Sequence, residues 1–331
     1  CGCEITRRKF LQRTVTGLAV AATPLPVLDF MPRAIAAPDS QRTAKPESLV
    51  SILYKGLTPE QKEKVAFPFD HPLRSKVDNN WNIVDETVGK FFNKDQQELI
   101  RQIFLGIHSP EYAERVLKQV EHDNIDEGGL GGCSVALFGE PGSGKFEFVF
   151  TGRHVTRRCD GDSVEGAAFG GPIFYGHAPG PFNEKPDHPG NAYWYQAVRA
   201  NEVFSMLDGK QRDLALLGTS RKEQGTETVK LTGKKAGLPG IPMTELTRDQ
   251  KEHVRKVMAD VLAPFRKADA DEAMKLIEIN GFDHLHMAFY KNQDIGKDGV
   301  WDVWQIEGPA MLWYFRGEPH VHTWVHIREK A

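Results

Sequence analysis

Two histidines separated by one residue, His320-Val321-His322, are the sharpest chemical feature of the 331-residue chain. In a β-strand, side chains alternate faces, so these two imidazoles share one face and stand roughly 7 Å apart at the backbone. That is close enough to converge on one ion. His326 keeps the same parity if the strand stays regular. His154 closes an upstream run in which Phe146, Phe148 and Phe150 alternate with other residues, the pattern of a half-buried strand. Imidazole nitrogen suits zinc, copper or iron, and a set of three leaves a coordination position for chemistry. His154, His320 and His322 are therefore the expected metal ligands. The competing account is packing, with satisfied or surface histidines in an aromatic-rich region.

Other candidates are weaker. His284-Leu285-His286 repeats the spacing beside another strand-like run. His177 and His188 lie in Pro/Gly-rich sequence and read as turn residues, and Glu165 reads as part of a solvated acidic turn. Gly139 to Lys145 fits a phosphate-loop spacing, but Phe146 stands where Ser or Thr would hold magnesium. The aromatic alternation that follows favours a strand over a helix, so a Gly-rich hairpin turn is expected there, and no nucleotide cofactor. Cys133 and Cys159 read as two separate small hydrophobes rather than a disulfide framework. Trp301, Trp304, Trp313 and Trp324 fall on three successive candidate strands. They suit either core packing or an aromatic groove for a small molecule or glycan.

The elements that must position these residues fall into two textures. From Glu47 to about Val120 the pattern is helical. Thr58-Pro59-Glu60 and Ser109-Pro110-Glu111 offer caps, and Gln96 to Ile107 forms an amphipathic helix. From Gly128 the sequence turns to strands at 134–138 and 146–154. Helices follow at 193–207, to about 217, from Thr247 to Leu262, and from Asp269 to Gly281. Residues 218–246, rich in Gly, Thr and Lys, read as an exposed excursion. The tail is an antiparallel meander of four strands ending at Ile327, with turns at Asp298-Gly299, Gly308-Pro309 and Gly317-Glu318-Pro319. The expected fold class is α+β, a helical N-terminal layer (47–125) packed on a largely antiparallel β-sheet within a mixed region (126–331), all one domain.

The N-terminus carries Thr6-Arg7-Arg8-Lys9-Phe10-Leu11-Gln12, a broken apolar stretch and Ala34-Ile35-Ala36. Paired arginines, a short apolar region and a small-x-small site in that order are the pattern of a twin-arginine signal peptide over 1–36. A polar linker follows at 37–46. Localisation is then periplasmic or secreted, with the twin-arginine translocase as a transient partner. The chain carries a net charge of −3. The first 36 residues hold five Lys/Arg and two Asp/Glu, so the remainder is near −6. That balance argues against nucleic acid or anionic lipid as a partner and leaves a small-molecule substrate open.

The sequence resembles a family of bacterial and fungal proteins described as domain of unknown function 3500. The resemblance rests on Phe138-Gly139-Glu140-Pro141, Thr151-Gly152-Arg153-His154 and Gly170-Gly171-Pro172-Ile173-Phe174. It also rests on Trp304-Gln305-Ile306-Glu307-Gly308-Pro309 and His320-Val321-His322-Thr323. Many relatives read Gly-His-His where this chain has Gly152-Arg153-His154. The resemblance groups the same histidines into recognisable segments and implies no particular activity. The expected function is an exported metalloprotein, with a metal-dependent enzyme using the His cluster as its catalytic form; the alternative is a non-catalytic envelope protein that binds a small molecule or glycan through an aromatic groove.

Overall fold

The computed structural model describes residues 44–178, 192–291 and 299–331. The signal-like segment and His188 lie outside these residues. Residues 43–331 form one compact unit, and no helix among the described residues is long and apolar enough to cross a membrane.

The fold is α+β. Helices α1 (Pro46–Lys55), α2 (Pro59–Val65), α3 (Val88–Phe91), α4 (Lys94–Gly106) and α5 (Ala113–Asp123) precede most of the strands. Helices α6 (Tyr195–Met206), α7 (Gly209–Ala215), α8 (Arg248–Leu262) and α9 (Lys267–Ile279) are inserted among them. Side chains set many of the helix starts. Thr58, Asn93, Asp208 and Thr247 each accept a bond from the backbone three residues on, while the Gln at that position bonds back. These capping boxes satisfy amide groups that the helix itself leaves unpaired. Ser109 departs from expectation. Its hydroxyl donates to the carbonyl of Ala263, and α5 begins at Ala113 without a side-chain cap.

The strands form one sheet. They are β1 (Ala66–Phe67), β2 (Ser134–Gly139), β3 (Phe146–Gly152), β4 (Val155–Cys159), β5 (Ile173–His177) and β6 (Leu216–Leu217). The remainder are β7 (Ile241–Pro242), β8 (His286–Tyr290), β9 (Val303–Gly308), β10 (Met311–Arg316) and β11 (Val321–Ile327). Their order is β1-β2-β3-β4-β5-β11-β10-β9-β8-β6, with β7 pairing β8. Only the short pairs β1–β2 and β6–β8 run parallel. The Gly-rich segment 139–145 joins the antiparallel strands β2 and β3, so Phe146 starts a strand and no helix follows the glycines. The tail is the expected meander. Its last strand does not end the sheet but pairs with β5, Val321 opposite His177 and His322 opposite Gly176. That pairing carries the C-terminal histidines to the β3–β4 hairpin.

Strand β3 is buried on both faces, where its alternation suggested one. Phe148 and Phe150 pack with residues of α1, α4 and α5, whereas Val149 packs with Ala136, Phe138 and Ile83 on the opposite face. The same division runs through the C-terminal half. Val321, Val325, Trp313 and Trp304 point into the main core, while Trp324, Leu312, Tyr314 and Phe174 meet Val77 and Val229 on the other side. The tryptophans are thus divided between the two faces, with Trp301 only partly buried. The excursion 218–246 is also not simply exposed, because Thr228 and Val229 are buried against the sheet. Cys133 and Cys159 are buried and free, and burial pushes their thiols up from the usual range.

Candidate metal centre

Strand β11 places His322 on the face that Trp324 and Val229 cover, and His320 precedes the strand. The Nε2 atoms of His320 and His322 are 2.9 Å apart. Two imidazole nitrogens at that distance share either one proton or one cation. His154 arrives from the two-residue turn between β3 and β4. Its ring centroid lies 4.9 Å from His320 and 5.1 Å from His322. One ligand nitrogen from each of the three lies within 4.8 Å of the others, and this is the group of histidine, cysteine and acidic side chains among the described residues that can hold a metal ion. Two tetrahedral ligands at 2.0–2.1 Å from an ion lie about 3.3–3.4 Å apart, a spacing between the 2.9 Å of His320 and His322 and the 4.8 Å limit of the group. His154 and His322 are buried and His320 is half-buried.

The backbone is shaped for this approach. His154 has φ 59°, a left-handed conformation that costs a residue with a Cβ about 1–2 kcal/mol. Its N–H donates to the Asn79 carbonyl at 2.8 Å, and the preceding Arg153 N–H donates to Asn124 Oδ1 at 2.9 Å. Gly176, opposite His322, lets the Val321 backbone and the His154 ring come close. A Cβ there would stand 2.2 Å from the Val321 carbonyl oxygen and 3.4 Å from His154 Cδ2. A strained non-glycine residue held by its surroundings points to use of the side chain. His154→Gly should therefore unfold at higher denaturant than His154→Ala, by about 1 kcal/mol, since both delete the imidazole and only Gly relieves the backbone. Equal midpoints in urea titrations would show that the turn stores no strain.

Carboxylates orient two of the three rings. Asp123, the last residue of α5, places Oδ2 3.2 Å from His154 Nδ1 and Oδ1 3.1 Å from His177 Nδ1. Glu223 Oε2 lies 2.6 Å from His322 Nδ1. Each Nδ1–H donates to its carboxylate, which leaves the Nε2 lone pairs of His154 and His322 free for a cation. A carboxylate behind the ring is the usual companion of a metal-bound histidine because it fixes the tautomer and raises ligand basicity. Burial opposes ionisation of Asp123, but the bonds from His154 and His177 outweigh it and hold the carboxyl well below the usual range. Burial pushes Glu223 up, with Arg316 opposing. Burial, with His322 and His154 nearby, lowers His320 to about 3; burial and Arg316 lower His322 well below the ordinary imidazole value. Both rings are therefore neutral at pH 7, the form that binds metal.

The remaining histidines separate from the group. His326 shares the face of His322, yet its Nδ1 lies 3.0 Å from the Val229 carbonyl. His286 is buried on β8, three strands from β11, with Nδ1 3.3 Å from the His284 carbonyl. Glu165 is exposed. His177, read as a turn residue, instead ends β5, buried and bonded to Asp123. Sequence reasoning passed over Asp123, Glu223 and Arg316. Asp123 stands at a helix C-terminus and Glu223 in a Gly/Thr/Lys-rich stretch, and neither position has a local pattern that marks it.

Comparison with known proteins agrees on the family alone. No curated protein matches the chain, and no solved structure matches it. A family model described as protein of unknown function (DUF3500) matches residues 39–330. That span takes in the whole sheet, both carboxylates and all three histidines of the centre, and the chain belongs to the DUF3500 family.

Proposed function

We propose that the protein is an exported metalloprotein whose His154, His320 and His322 hold one transition-metal ion at a site built for chemistry. The observation that carries the reading is the convergence of three ligand nitrogens within 4.8 Å, two of the rings backed by carboxylates, the buried Asp123 and the half-buried Glu223. Neutral imidazoles suit zinc, copper or iron. Structural zinc sites close the shell with a fourth protein ligand, whereas catalytic ones use three and keep a position for water or substrate. An ion so held acts as a Lewis acid or lowers the pKa of bound water, and copper or iron would add redox chemistry.

The carboxylates supply a test that leaves the ligands intact. Asp123→Asn and Glu223→Gln should each weaken metal affinity by about 10–100-fold, the cost of losing an outer carboxylate partner. Competition against a chromophoric chelator would measure this. Unchanged affinity in both variants would remove the carboxylates from the account.

Export rests on Arg7-Arg8 and the segment that follows. Changing both arginines to lysine should hold the precursor in the cytoplasm, because the paired guanidiniums are what this pathway reads. Cell fractionation decides it, and undiminished export of the Lys-Lys variant would refute the assignment.

A further inference from the structure

A guanidinium stands beside the three histidines with little to do in the fold. Arg316 ends β10 directly opposite His322, and residues paired across neighbouring strands project to the same face. Its Nε is 2.9 Å from Glu223 Oε1, the carboxylate whose other oxygen accepts from His322. That contact is an ion pair by distance only, since neither atom has a partner in hydrogen-bond geometry. The two terminal nitrogens of Arg316 make no ion pair or hydrogen bond among the described residues, and the side chain keeps 18% of its exposure. The buried Arg157 and Arg158 differ. Arg158 donates to three carbonyls and to Glu147, and Arg157 donates to the Phe174 carbonyl and His108.

We infer that the loaded centre takes a small anionic group with two oxygens to offer, a carboxylate or a phosphate, one oxygen on the metal ion and another on the terminal nitrogens of Arg316. The inference rests on the metal reading above. Charge supports it. The Arg316 guanidinium, paired across the strands with His322, and a metal ion on the histidines would present two cationic centres to one small ligand. Shape supports it too, because the two terminal nitrogens of a guanidinium can direct an N–H each at a single oxygen while the ligand's other oxygen reaches the ion. The half-buried His320 and the exposed part of Arg316 give the group its route from solvent.

The test uses the full chain, purified without an affinity tag and loaded with cobalt(II), whose visible spectrum reports a change in its ligands. Metal content is measured first; a chain that takes up no cobalt overturns the metal reading, and this inference with it. Loaded protein is then titrated with acetate and, separately, with inorganic phosphate. A saturable spectral change with at least one of them is expected, and which one identifies the source of the oxygens. Arg316→Gln should keep its cobalt and bind the anion at least tenfold more weakly. Arg316→Lys keeps the charge beside Glu223 without the two terminal nitrogens. It should also stay loaded and bind more weakly than wild type, which guards against a Gln variant that loses metal. No response from the loaded wild type to either anion, or equal affinity in wild type and both variants, overturns the inference.

Discussion

His322→Ala should reduce bound metal from about one ion per chain to a small fraction of that, while Val321→Ala should leave it in place. The two residues are adjacent, and the strand sends them to opposite faces. His322 puts Nε2 2.9 Å from His320 and Nδ1 2.6 Å from Glu223. Its removal deletes a ligand and takes a partner from the half-buried Glu223 carboxylate. Losing only an outer carboxylate weakens such sites by about 10–100-fold, so losing a ligand exceeds that range. Val321 is fully buried in the main core with Val325 and Ile327. Truncating it removes two methyl groups and opens a cavity, at a cost of about 2 kcal/mol in stability. Elemental analysis and urea unfolding on the same two proteins read both effects. Equal metal content in the two would mean that the ion, if any, sits elsewhere.

The second large effect lies in the support of the β3–β4 hairpin that carries His154. Glu147→Ala should destabilise the fold by about 3–5 kcal/mol, the cost of leaving a buried charge without its partner. Glu147 is fully buried on β3, with Oε1 on Arg158 of β4 and Oε2 2.9 Å from Arg74. Arg158 also donates to the carbonyls of Pro172, Arg74 and Lys76. Removing the carboxylate leaves its guanidinium buried and charged among neutral acceptors. A loss under 1 kcal/mol in urea titrations would show that the carbonyls suffice.

The same hairpin shows where sequence is readable and where it is not. The alternation of Phe146, Phe148 and Phe150 announces β3, and the spacing of His320 and His322 announces a shared face, because both are properties of neighbouring residues. Strand β4, Val155-Thr156-Arg157-Arg158-Cys159, has no such signature. Two adjacent arginines read as surface, yet both are buried, one on each face. Arg157 is held by the Phe174 carbonyl, His108 and Tyr193, and Arg158 by Glu147. These side-chain and carbonyl partners lie 11 to 49 residues away in sequence, and the Arg74 and Lys76 carbonyls on Arg158 lie farther still, so only the finished sheet explains them. The centre divides in the same way. The three histidines were legible as candidates from strand parity and family resemblance. Asp123 reaches His154 across 31 residues and Glu223 reaches His322 across 99. Contacts of that separation follow from the order β4-β5-β11, which inserts the last strand beside the fifth.

The proposed centre holds one metal ion among His154, His320 and His322. Elemental analysis combined with X-ray absorption at the metal edge tests it most directly, on protein purified without an affinity tag. About one zinc, copper or iron per chain is expected, with an inner shell that includes three imidazole nitrogens at roughly 2.0–2.1 Å. That signal should be lost when all three histidines are replaced by alanine. A wild-type chain that binds no transition metal, or a triple variant that binds as much as the wild type, would contradict it.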